Sequence, residues 1–81
     1  MRLPRDIGGQ ALAGRLSRFG YIVMRQTGCH LRLVSNHTGR EHHLTVPTHT
    51  LLHLGTLSCI LTEVLTYLGI EKDALTAALF S

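Results

Sequence analysis

The chain has 81 residues, 44% of them apolar and 16% charged, enough for one domain around one modest core and incompatible with a disordered chain. Its apolar runs are only a few residues long, too short for a membrane span, and the N-terminal Met-Arg-Leu-Pro-Arg-Asp lacks the apolar block of a secretory leader, so a cytoplasmic location is expected. The net charge of +3 divides into +6 over residues 1–40 and −3 over residues 41–81, a polarity that fits a polyanionic partner for the N-terminal half as well as it fits solubility alone.

In chain order, residues 3–9 read as an extended lead-in, with Asp6 a candidate cap for the helix that follows. That helix is expected over residues 9–18, because Leu12, Leu16 and Phe19 recur at helical spacing while Arg15 and Arg18 fall off that face. Gly20 ends it. Residues 21–26 are rich in β-formers and give the first strand. Thr27-Gly28 is the expected hairpin turn. The second strand, residues 30–35, alternates so that His30, Arg32 and Val34 share one face and Leu31, Leu33 and Ser35 the other. After the Asn36–Gly39 turn cluster a third strand spans residues 42–47, with Leu44 and Val46 inward and His43 and Thr45 on the side of His30 and Arg32. A loop over residues 48–54 leads to a second helix capped by Thr56, in which Leu57, Ile60, Leu61, Val64, Leu65 and Leu68 form a full apolar stripe. Gly69 ends it, and residues 71–80 form a third helix with Leu75 and Leu79 buried. The expected fold is therefore α+β, in the order α-β-β-β-α-α: one domain over residues 1–81, a three-stranded antiparallel sheet with helices on one face.

The candidate site is the polar face of this sheet. An imidazole and a guanidinium two residues apart can move a proton and neutralise a phosphate. RNA carries its own nucleophile, the 2′-OH, so a proton acceptor, a charge stabiliser and fixed geometry are enough to cleave it. This reading makes His30 the catalytic acid/base, with Arg25 and Arg32 stabilising charge. Gln26, Gly28, Cys29, His43 and Thr56 complete the expected RNA-binding set. For His37, His42 and His53 a surface-polar role is expected, whereas His43 and His49 border the site. No spacing matches a paired-cysteine or His-Glu-x-x-His zinc site, so neither metal nor cofactor is expected. Cys29 and Cys59 read as free thiols of a reducing compartment, in preference to a disulfide.

Several stretches carry a family resemblance: Leu3-Pro4-Arg5-Asp6-Ile7; Arg25-Gln26-Thr27-Gly28-Cys29-His30-Leu31-Arg32-Leu33; residues 39–47; His49; and Gly55-Thr56-Leu57 with Ile60 and Leu61. In this order they make the chain resemble the HicA toxins, the ribonuclease half of HicA–HicB toxin–antitoxin pairs. The resemblance implies a fold like a double-stranded-RNA-binding domain and metal-independent cleavage of mRNA. It also implies one essential histidine, at the position of His30, and neutralisation by a HicB antitoxin. The chain departs from the family pattern at Cys29, where serine is usual, at Thr50, where an acid is usual, and at His53, where a basic residue is usual. Its second helix also lacks lysine and arginine. These departures keep two other function classes open: a non-catalytic RNA-binding module, and a protein that uses the exposed sheet face only to bind a partner.

Overall fold

The computed structural model describes Leu3, Pro4 and residues 6–80; Arg2 and Arg5, two of the seven arginines within residues 1–40, lie outside the described residues. Helix α1 (Gly9–Leu16) runs into a short 3-10 turn (Ser17–Phe19), followed by strands β1 (Ile22–Thr27), β2 (His30–Ser35) and β3 (His42–Pro47) and helices α2 (Leu54–Leu68) and α3 (Lys72–Phe80). The strands form one antiparallel sheet in the order β1-β2-β3, and the fold is α+β, as the hydrophobic periodicities require.

Alternation along β2 and β3 sends Leu31, Leu33, Leu44 and Val46 to the inner face. There they meet Leu12 and Leu16 of α1, Leu57, Ile60, Leu61 and Val64 of α2, and Leu75 and Leu79 of α3 in one core. Each such side chain contributes roughly 1.5–3 kcal/mol by leaving water. Helices α1 and α2 pack on β2 and β3 and α3 packs against α1 and α2, whereas all six residues of β1 are exposed. Among the described residues no single helix is long and apolar enough to cross a membrane.

Two helix starts differ from the sequence expectation. Thr56 lies inside the first turn of α2, and His53 occupies the N-cap with extended backbone and no side-chain cap bond. Gly8, not Asp6, caps α1, again without a side-chain bond. Packing explains both, because backbone bonds tie these helix starts to neighbouring segments. Gly9 N–H donates to His49 O (3.0 Å) and Leu52 N–H to Ile7 O (2.9 Å), which lays the lead-in along the loop of residues 48–53. That approach needs glycine: a Cβ on Gly9 would collide with the Pro47 carbonyl oxygen and lie 2.8 Å from its carbon.

The N-terminal arginines do not all face outward toward a partner. Arg15 donates to the Leu79 carbonyl (2.7 Å) and stands over the Phe80 ring at 5.6 Å, and Arg18 donates to the Ala78 carbonyl. They satisfy the otherwise orphaned carbonyls, and the negative dipole end, of α3. Part of the N-terminal positive charge is thus spent on folding.

Candidate nucleic-acid interface

The hairpin between β1 and β2 is one residue out of step with the expected turn. Thr27 pairs with His30, so the two-residue turn is Gly28-Cys29 and Thr27 belongs to the strand. Gly28 has φ +59°, and a tight hairpin with its left-handed residue first favours glycine there. The tip is fastened down: Cys29 O accepts from Thr48 N–H (2.7 Å) and Thr48 Oγ1 (3.2 Å), and Gln26 Nε2 donates to Gly28 O (3.1 Å).

This turn sets which side chains meet. Arg25 pairs with Arg32, whereas Val23 pairs with Leu33, so Met24 is an extra, bulged residue. Two guanidinium-bearing residues consequently stand side by side on the outer face, with Cα atoms about 5 Å apart. His30 follows Arg32 on that face, about 7 Å along the strand. His30 and Arg25 are exposed. Among the described residues neither makes a side-chain hydrogen bond or ion pair, and Arg32 Nη1 donates to Thr45 Oγ1 (3.1 Å). Gln26 pairs with Leu31, which turns it toward the opposite face, away from His30.

His43 is further from His30 than the sequence suggests. It pairs with Val34, while His30 pairs with Pro47 at the other end of the ladder. His43 Nε2 lies in hydrogen-bond contact with Glu41 Oε2 at 3.0 Å, in an exposed setting. His43 therefore shares a shallow cleft of about 510 Å³ with Met24, Arg25, Arg32 and Thr45, but not with His30. Thr56 lies on the other side of His30's partner: Pro47, His53, Gly55, Thr56 and Cys59 line a cleft of about 580 Å³ at the start of α2. Pro47 thus links His30 to the exposed backbone N–H groups of a helix N-terminus, a setting that favours anions. His49 and Cys29 are exposed, and Cys29 and Cys59 are both free thiols. Among the described residues no group of three or more His, Cys, Asp or Glu comes together as a metal site.

One cluster escaped the sequence reading. His42 shares the strand phase of Leu44 and Val46, which should have marked it as inward-facing. Its Nδ1 is 2.7 Å from the Tyr21 hydroxyl, and its ring stacks on Tyr67 at 4.7 Å. The Tyr67 hydroxyl in turn donates to Arg40 O (2.5 Å) and accepts from Thr38 N–H (3.2 Å). His42 is a structural residue that closes the sheet against α2. Burial, with the nearby Tyr67 and Glu63, pushes the Tyr21 phenol well above its ordinary value of 10.0. The unfolded chain then releases this proton before the folded one does, so stability is expected to fall as pH rises past about 10. Tyr21→Phe should flatten that alkaline limb in pH-dependent denaturant melts, at a cost of about 1 kcal/mol at neutral pH.

Comparisons with protein-family models, with curated proteins and with solved structures find no match for this chain.

Proposed function

We propose that the chain is a HicA-type toxin, a metal-independent endoribonuclease that cleaves mRNA and is held in check by a HicB-like antitoxin. The observation that carries this reading is the outer sheet face, where His30 stands free in solvent beside the Arg25–Arg32 pair. The α2 N-terminus lies behind Pro47, the ladder partner of His30. A phosphodiester laid along this face meets two guanidinium groups, and its 2′-OH comes within reach of the His30 imidazole, a side chain able to accept or give a proton. His30 takes the 2′-OH proton as general base or protonates the leaving oxygen as general acid. Arg25 and Arg32 neutralise the charge gathering on the phosphoryl oxygens. Among the described residues the histidine ring has no protein partner to orient it, so bound RNA completes the site.

RNA affinity measured against salt tests the binding half of this reading. Arg25→Ala and Arg32→Ala should each weaken binding and each reduce the log–log salt slope by about 0.7, the value for one lost contact to single-stranded phosphate. Arg15→Ala should leave the slope unchanged, because Arg15 is engaged with α3. A salt slope indifferent to Arg25 and Arg32 would remove RNA from this face. Binding without cleavage would identify a non-catalytic RNA-binding module.

A further inference from the structure

The two edges of the sheet are unequally protected. The outer edge of β3 runs beside α2, and Cys59, Ile60 and Glu63 of the helix form a cleft with His43 and Thr45 of the strand. Among the described residues the outer edge of β1 has no such cover. Ile22, Val23 and Met24 are 64%, 44% and 64% exposed, consecutive apolar residues on a strand open on both faces. Natural edge strands are usually blunted by lysine, proline or a covering segment. Ile22–Thr27 has neither residue, only the charge of Arg25 and the bulge at Met24. Such an edge is suited to main-chain pairing with another strand.

Charge selects the occupant. Arg25 and Arg32 stand together beside this edge, and among the described residues neither has a carboxylate partner. A second copy added antiparallel at β1 would place four arginines on one sheet face, a like-charge arrangement that opposes pairing. An RNA strand would satisfy the arginines but leave the apolar run uncovered. We infer that the open edge of β1 accepts an extended acidic strand from a different protein, which adds to the sheet as a fourth strand. Its carboxylates at alternate positions face Arg25 and Arg32, and its apolar residues lie along Val23 on the other face. On the RNA-cleavage reading this strand would also exclude RNA from the arginines, but pairing itself does not depend on that reading.

Two synthetic peptides of about one strand length, one alternating valine and glutamate and the other valine and lysine, test the inference on the full chain without RNA. The Val-Glu peptide should slow amide exchange across Ile22–Gln26, leave the β3 amides unchanged, and bind on the order of tenfold more tightly than the Val-Lys peptide at low salt. The double variant Arg25→Glu/Arg32→Glu, at exposed positions, should reverse the preference while its circular dichroism stays that of the wild type. Four results would overturn the inference: no protection of β1; protection of β3 instead; equal binding of the two peptides; or β1 protected by self-association as the chain is concentrated. Failure here with intact RNA cleavage would leave the nuclease reading standing, and the converse also holds.

Discussion

Gly9→Ala is expected to be the most destabilising conservative substitution in the chain, costing upwards of about 3 kcal/mol, the top of the usual range for overpacking. The added methyl meets backbone and not a flexible side chain: the Pro47 carbonyl, with Thr48 Cα 3.1 Å away. Relief would require α1 to move off the loop of residues 48–53, breaking the Gly9 N–H bond to His49 O. Alanine's better helix propensity recovers only about 1 kcal/mol at most. Pro47 is also the ladder partner of His30, so the strain arrives at one end of the candidate site. Chemical denaturation should show a midpoint shift with little change in slope, and Gly14→Ala, where a Cβ meets nothing within 4 Å, serves as the neutral or stabilising control. If the two variants were equally stable, the close approach of α1 to Pro47 would be wrong.

Those two glycines show where sequence reading stops. Gly9 and Gly14 look alike in the sequence, both in or beside a predicted helix, and only tertiary contact separates them. The elements themselves were legible because their periodicities are strong. The Leu31/Leu33 and Leu44/Val46 alternation fixed which face of β2 and β3 is buried, and the Leu57–Leu68 stripe fixed the buried side of α2. Register was less legible. Moving the turn to Gly28-Cys29 decides that Arg25 stands beside Arg32, and the bulge at Met24 sets Val23 opposite Leu33; nothing in local propensity announces a bulge. Arginine roles were equally hidden, since Arg15 and Arg18 find their carbonyl partners 64 and 60 residues away. His42 could have been found by its strand phase, but its Tyr21 and Tyr67 partners come from β1's approach and from α2.

The second large effect is chemical. His30→Ala should leave the fold intact, because the side chain is exposed and makes no bond to the protein among the described residues. Its thermal melt should therefore match the wild type within about 0.5 kcal/mol. RNA binding should persist, carried by Arg25, Arg32 and the start of α2. Cleavage should drop by a factor on the order of 10²–10⁴, the usual worth of a positioned acid/base, and growth arrest on induction should disappear with it.

Single-turnover cleavage of one RNA by the wild type and by His30→Ala tests the central claim most directly. The assay needs chelator present and a matched substrate carrying a 2′-deoxy nucleotide at the cut site. The wild type should cut the all-ribose RNA and fail on the deoxy substrate, and His30→Ala should bind both and cut neither. An alanine variant that cuts the ribose substrate at the wild-type rate, or a wild type that cuts the deoxy substrate equally well, would contradict the account.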